Sequence, residues 1–279
     1  MRVVVTGAAG KAGKFVVEEL KRAGWSVVAS DIAVSTLSSA TGDVGAIKAD
    51  LTDLGQTIEL LTGADAVVHL GNIAFPGMYP PTKTFIDNLT MNYHVFTAAR
   101  INRLKRVVWL SSSSVIGDMY DPAKTVRVPV DETAPRSPSN TYSLSKALTE
   151  EMAEFFARDG LSIVGLRATF VEDPSAYANY ARFQKEPTLR MWHMWSYIDT
   201  RDLASACRLA IEADLSGSHC LFVTAADTVS NRETAELYRL RFGDAYAGTC
   251  PAGHQPFVSG RKAFELIGFV PQYSWRDGA

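Results

Sequence analysis

The sequence predicts an α/β protein built on a doubly wound parallel sheet, and three observations carry that expectation. Short apolar, β-branched runs alternate with stretches of helical period from the first residues to about Arg167. Those runs lack an alternating polar face, as expected of parallel strands covered on both sides. The first run stops at a glycine-rich turn that leads straight into an amphipathic helix pattern. Right-handed crossovers between such strands produce a Rossmann-type arrangement.

Taken in order, Val3-Val4-Val5-Thr6 is the first strand and Gly7-Ala8-Ala9-Gly10-Lys11-Ala12-Gly13 the turn. A pyrophosphate can rest on a helix N-terminus, where free N–H groups and the helix dipole favour negative charge, only if no side chain blocks it. Gly7 then serves the tight turn, Gly10 the close approach and Gly13 the packing of helix on strand. Gly7, Ala9, Gly10, Lys11, Ala12 and Gly13 are accordingly candidate cofactor contacts. The first helix spans about 11–23, and strands follow at 25–30 and 46–49. A helix at 54–61 and a strand at 65–70 come next, then a long helix at about 85–103. The fifth strand is 106–111, a helix runs over about 141–158, and the sixth strand is 161–167. Beyond it the regularity fades: 168–198 is rich in Tyr, Trp, Met and Pro, 200–213 is helical and 218–224 a strand. The expected organisation is a nucleotide-binding domain at 1–168, rejoined by about 199–224, with 169–198 and 225–279 forming a small substrate-binding annex.

The chain has 279 residues, 47% hydrophobic and 21% charged, which is ordinary for a globular protein and enough for a core without disulfides or metal. A net charge of −2 offers no case for nucleic acid or an anionic membrane surface. Cys207, Cys220 and Cys250 form no ligand pattern and read as reduced, mostly buried thiols. No metal site is expected. The first strand begins at residue 2, leaving no room for a signal peptide, and no apolar run approaches a membrane span. A soluble, cytoplasmic protein is the expectation.

Asp31 directly follows the second strand, where a carboxylate accepts hydrogen bonds from ribose hydroxyls and repels a 2′-phosphate. No Arg or Lys occurs from 32 to 47 to hold such a phosphate, which favours NAD over NADP. Asp50 and Leu51 end the next strand at the adenine edge. Leu70, Gly71 and Asn72 end the fourth, where the backbone must pass close to the cofactor; His69 reads as a packed structural histidine. Leu110, Ser111 and Arg167 end the fifth and sixth strands on the same side.

Tyr142 and Lys146 stand four apart on a helix and therefore project from one face. A phenol near pKa 10 is a poor base at neutral pH, and an adjacent ammonium favours the phenolate; bringing it down about three units takes roughly 4 kcal/mol. So tuned, it takes the proton of a secondary alcohol as the hydride leaves. Ser112, in the run Ser111-Ser-Ser-Ser-Val-Ile-Gly117, would hold the reacting oxygen over Tyr142. Ser112, Tyr142 and Lys146 are the candidate catalytic set, with Tyr142 and Lys146 also touching the cofactor. Ser112, Ser113, Asn72 and Phe75 are candidates to line a substrate pocket.

With these residues in view, the chain resembles the extended short-chain dehydrogenases/reductases, in the NAD-dependent epimerase/dehydratase branch. The resemblance rests on the turn at 6–13, Asp31, Asp50-Leu51, His69-Leu-Gly, Asn92, the serine run and Tyr142/Lys146. It implies an NAD cofactor, Lys146 on the nicotinamide ribose, Asn92 near the cofactor, and pairing of the helices at 85–103 and 141–158 in a homodimer. Ile116 and Val171-Glu-Asp-Pro174 depart from the family pattern. The C-terminal part is short for nucleotide-sugar substrates, which favours a small sugar or sugar acid. Arg190-Met-Trp-His-Met-Trp195 resembles the compact uronate dehydrogenases, and implies Arg190 gripping a carboxylate, with His193 beside it. The implied function is hydride transfer between NAD and a hydroxyl or carbonyl of a sugar-derived substrate, with Tyr142 as acid/base. Uronate oxidation at C1, nucleotide-sugar 4-epimerisation, reduction of an apolar ketone and a non-catalytic NAD-binding regulator are the alternatives.

Overall fold

The computed structural model describes residues 1–33, 46–117, 127–243 and 249–277. Its centre is a seven-stranded parallel sheet of β1 (Arg2–Thr6), β2 (Ser26–Asp31), β3 (Ala46–Lys48), β4 (Ala66–His69), β5 (Arg106–Ser112), β6 (Ser162–Ala168) and β9 (Ser218–Val223). The spatial order is β3-β2-β1-β4-β5-β6-β9. The doubly wound fold expected from the sequence is therefore the fold observed. The direction of winding reverses between β1 and β4, and that switch point is where such sheets open a ligand crevice beyond their carboxyl ends.

One face of the sheet carries α1 (Gly13–Arg22), α6 (Thr200–Glu212) and α8 (Arg261–Ile267), packed over Val3, Val5, Val68, Val164 and Leu221. The other carries α2 (Leu54–Leu61), α3 (Pro81–Ile101) and α4 (Thr141–Ala157), over Val4, Val67, Val107, Trp109 and Ile163. Helix α8 thus joins the main core rather than the annex to which the sequence assigned it.

A second cluster, including Val115, Val130, Tyr180, Trp195, Tyr197, Phe222 and Phe257, binds the segments beyond β6 to the sheet. Here a two-stranded ribbon forms from β7 (Phe170–Glu172) and β8 (Tyr197–Asp199), with α5 (Ala181–Lys185) and two 3₁₀ turns between them; α7 (Thr234–Phe242) follows β9. Cys207 is buried, Cys220 half-buried and Cys250 exposed, so the thiols are less sheltered than the sequence suggested. Among the described residues no helix is long and apolar enough to cross a membrane. Ile86 and Tyr93 of α3 and Leu144, Leu148 and Phe155 of α4 leave apolar side chains exposed on two neighbouring helices.

Candidate active site

The glycine turn closes against the end of β4. Gly7 has φ +68°, and a Cβ there would lie 2.6 Å from the Leu70 carbonyl carbon and the Gly71 nitrogen. A Cβ at Gly13 would sit 2.3 Å from the Gly7 oxygen, so helix α1 can meet the strand only through glycine. At Gly10 the nearest atom to such a carbon is the Gly7 oxygen at 3.1 Å, a tight contact but the least crowded of the three. Gly10 and Gly13 donate their N–H groups to Gly7 and Gly10 oxygens, at 3.0 and 3.1 Å; those of Lys11 and Ala12 take no part in these turn bonds. Asp31, half-buried, stands across the turn and accepts the Ala9 N–H at 3.0 Å and the Ala33 N–H at 2.9 Å. Each carboxylate oxygen has a further lone pair for a ribose hydroxyl. The segment 34–45, where the sequence lacks a basic partner for a 2′-phosphate, lies outside the described residues. A glycine turn that no side chain obstructs, with a carboxylate at its rim, fits the adenosine and pyrophosphate half of NAD.

The remaining rim residues divide into two groups. Asp50 uses its carboxylate on the Thr52 N–H and hydroxyl, at 2.9 and 2.7 Å, and Leu51 is buried against the Gly71 backbone. Lys11 extends an exposed side chain across to the Val171 carbonyl, 3.2 Å away. The other residues converge on β4, β5 and α4. Asn140 caps α4, accepting the Ser143 N–H at 2.9 Å, so Tyr142 falls in the first turn and Lys146 one turn deeper.

Lys146 is buried, yet its amine is well served: Nζ donates to Asn72 Oδ1 at 2.6 Å and to the Leu110 carbonyl at 2.7 Å. It lies 5.8 Å from the Tyr142 ring centroid and 5.6 Å from that of Trp109. Ser112 accepts the Ser114 N–H at 3.1 Å and shares a 2.9 Å bond with the Ser114 hydroxyl, opening the 3₁₀ turn (Ser113–Ile116) that holds Ser113. Beneath them Thr6 and His69 Nδ1 are 2.7 Å apart, and burial drops the His69 imidazole to about 3, so it stays neutral. His69 is the packed histidine expected of it.

Electrostatically the site departs from the expectation that the phenol is already acidic. Burial pushes Tyr142 up to about 12, against a smaller downward pull from the Ser112 hydroxyl, and burial lowers Lys146 to about 7. The ammonium spends its donors on Asn72 and Leu110 rather than on the phenol, and desolvation of the phenolate wins.

Several expected contacts lie elsewhere. Asn92 is fully buried between α3 and α4, donating to the Asn88 carbonyl at 2.6 Å and the Thr149 hydroxyl at 3.1 Å. It can act only through the scaffold. Arg167 is buried in a two-bonded pair with Glu150 at 2.9 and 2.7 Å, and Ser111 gives its hydroxyl to the same carboxylate at 2.7 Å. Both side chains turn to that carboxylate, and of the Arg167 nitrogens Nη1 is left without a hydrogen-bond partner among the described residues. Arg190 is 5% exposed, pairs with Glu172 at 3.1 Å and has its guanidinium carbon 3.9 Å from the Phe170 centroid and 4.6 Å from Phe183. That side chain is held inside the annex through Nη2, while its Nε is buried without a hydrogen-bond partner among the described residues. Phe75 is more than half exposed and lies on the rim.

Sequence reasoning missed Glu150 and Glu172. Glu150 was within reach, since 142, 146 and 150 continue one helical face. Glu172 had no comparable signal.

Fold and site together define a dinucleotide-binding protein with a tyrosine and a lysine at the carboxyl ends of the central strands. The chain belongs to the NAD dependent epimerase/dehydratase family, whose sequence model matches residues 3–221. NAD is the cofactor of that family, and the crevice suits it. A uronate dehydrogenase of Pseudomonas syringae is 35% identical over 168 residues, 60% of this chain and 58% of that protein. The alignment thus spans under two thirds of that relative's length. An L-arabinose 1-dehydrogenase of Haloferax volcanii is 26% identical across 78% of this chain and 85% of its own. A UDP-glucose 4-epimerase structure from Stenotrophomonas maltophila, solved with NAD and formylated UDP-arabinopyranose, superposes with a TM-score of 0.75. It is 22% identical, over 99% of this chain and 95% of that one, and shows the shared fold.

Proposed function

We propose that this chain is an NAD-dependent dehydrogenase of a free sugar or sugar-derived alcohol, with Ser112, Tyr142 and Lys146 as its catalytic residues. The observation that carries the reading is the Lys146 amine, buried beside Tyr142 and fixed by Asn72 and Leu110 where β4 and β5 meet the glycine-turn crevice. Bound there, NAD supplies the acceptor for the hydride of a carbinol carbon. The chain's own part is proton handling. Ser112 orients the substrate hydroxyl and lowers the phenol against its burial, Tyr142 takes the proton, and Lys146 stands beside the Tyr142 ring at the nicotinamide half. Gly10, Lys11, Ala12 and Asp31 hold the adenosine diphosphate half, with Leu70, Gly71, Asn72 and Leu110 along the nicotinamide half. The names of the dehydrogenase relatives support the substrate class.

The test is a screen of free sugars with NAD and NADP, followed by the absorbance of reduced nicotinamide. Turnover is expected with NAD. NADP should be poorer by at least about tenfold, because a 2′-phosphate beside the Asp31 carboxylate costs several kcal/mol. Asp31→Asn should narrow that gap. Equal use of both cofactors by the wild type would refute the role given to Asp31.

The exposed apolar side chains on α3 and α4 support pairing with a second copy of the chain. Sedimentation should report a dimer that Leu148→Arg dissociates, and a monomer at all concentrations would exclude it. Free thiols, including exposed Cys250, suit the reducing cytoplasm.

A further inference from the structure

We infer that Glu172 is a positioning residue for cofactor release: its carboxylate competes with the dinucleotide's pyrophosphate for the Lys11 ammonium, and so speeds departure of the reduced cofactor. This rests on the reading of Lys11, above, as a contact of the adenosine diphosphate half. It begins with the two oxygens of one carboxylate. Glu172 Oε1 meets Arg190 Nη2 at 3.1 Å, and Oε2 lies 3.8 Å from Lys11 Nζ. The carboxylate therefore stands between a cation of the annex and a cation of the glycine turn.

The three groups are held unequally. Glu172 and Arg190 are both buried, and the Arg190 guanidinium packs on the Phe170 and Phe183 rings. Strand β7 fixes the backbone, because Val171 and Glu172 pair with Ile198 and Asp199 of β8. Lys11 is the loose member. About half of its side chain is exposed, and its amine donates to the Val171 carbonyl at 3.2 Å. A long, flexible side chain rooted in the turn can swing to either side. Glu172, anchored by Arg190, cannot follow it.

The magnitudes suit a competitor rather than a block. An ion pair to a half-exposed lysine is worth little. Lys11 turns to a doubly anionic pyrophosphate at the turn more strongly than to this single carboxylate, so the bridge does not prevent binding. On departure Glu172 takes the ammonium back, which offsets part of the contact being lost. Burial pushes the Glu172 carboxyl up, while Arg190 and then Lys11 pull it down, so both cations favour the ionised form that the competition needs. The neighbouring carboxylate supplies a control: Asp173 lies 3.2 Å from Lys14, its partner in place of Lys11. It carries the same charge one residue on, without the competition.

The experiment follows NADH by its own fluorescence, in equilibrium titration and in stopped-flow displacement by excess NAD. Glu172→Gln should tighten NADH by about two- to fivefold, through slower release. Lys11→Met should weaken binding. Adding Glu172→Gln to Lys11→Met should change nothing more, because no ammonium is left to compete for. Asp173→Asn should leave release unchanged. Where Glu172→Gln strands Arg190 and folds poorly, Glu172→Gln with Arg190→Met removes both buried charges and should release NADH just as slowly. Unaltered release in the Glu172 variants overturns the inference and leaves the cofactor reading standing. So does tightening that persists without Lys11, or that Asp173→Asn reproduces. A Lys11→Met variant that binds and releases NADH as the wild type does overturns the contact given to Lys11, and this inference with it.

Discussion

Tyr142→Phe is expected to reduce sugar oxidation by about 10²–10⁴-fold while NAD affinity stays close to that of the wild type. The change removes one oxygen from a half-buried ring and leaves the Lys146 contacts to Asn72 and Leu110 untouched. What is lost is the group that receives the substrate proton. Turnover and a calorimetric NAD titration on the same preparation separate the two effects. Retained turnover would mean that another group does the proton transfer. Loss of NAD binding together with turnover would mean that the ring supports the crevice instead.

The largest effect on stability is expected at Glu150. Its side chain is fully buried, takes two bonds from Arg167 and one from Ser111, and lies 3.5 Å from Arg136. Glu150→Ala leaves the Arg167 guanidinium buried without its anion, which costs about 3–5 kcal/mol and lowers the melting temperature on the order of ten degrees. Replacing both partners, Glu150→Leu with Arg167→Met, should recover most of the loss, because the penalty belongs to the stranded charge. The link to the site runs through Ser111, which precedes the candidate catalytic Ser112 on β5. A single replacement that left melting unchanged would show that the pair contributes nothing.

The strands and α2 were legible because their signal is local. Apolar runs such as Ala66–His69, buried along their length, have no other reading. Helix α3 begins four residues earlier than the periodicity suggested, with Pro81 in its first turn, where a missing N–H costs no helical bond. The ribbon of β7 and β8 was missed: it lies in 168–198, beyond the point where strands and helices alternate regularly. Tyr142 and Lys146 were readable from their spacing. The Lys146–Asn72 bond joins residues 74 apart and could not be. The same holds for Glu172, which meets both Arg190 and, at 3.8 Å, Lys11. Sequence spacing shows which groups share a helix face. It does not show which charges the fold has already cancelled.

The proposed NAD-dependent reaction stands on Tyr142 as its acid/base, with Lys146 beside it. In the chain itself burial holds the phenol up at about 12, with Ser112 pulling it down and the Lys146 ammonium lowered to about 7; His69 beneath stays neutral. The ionised phenol is therefore the scarce form throughout the neutral range. The most direct measurement is the pH profile of sugar oxidation by the wild type and by Tyr142→Phe. The wild-type rate should rise about tenfold per pH unit and level off once the phenol is ionised, while the residual rate of the variant lacks that limb. A wild-type rate independent of pH, or the same rising limb in both proteins, would contradict the claim.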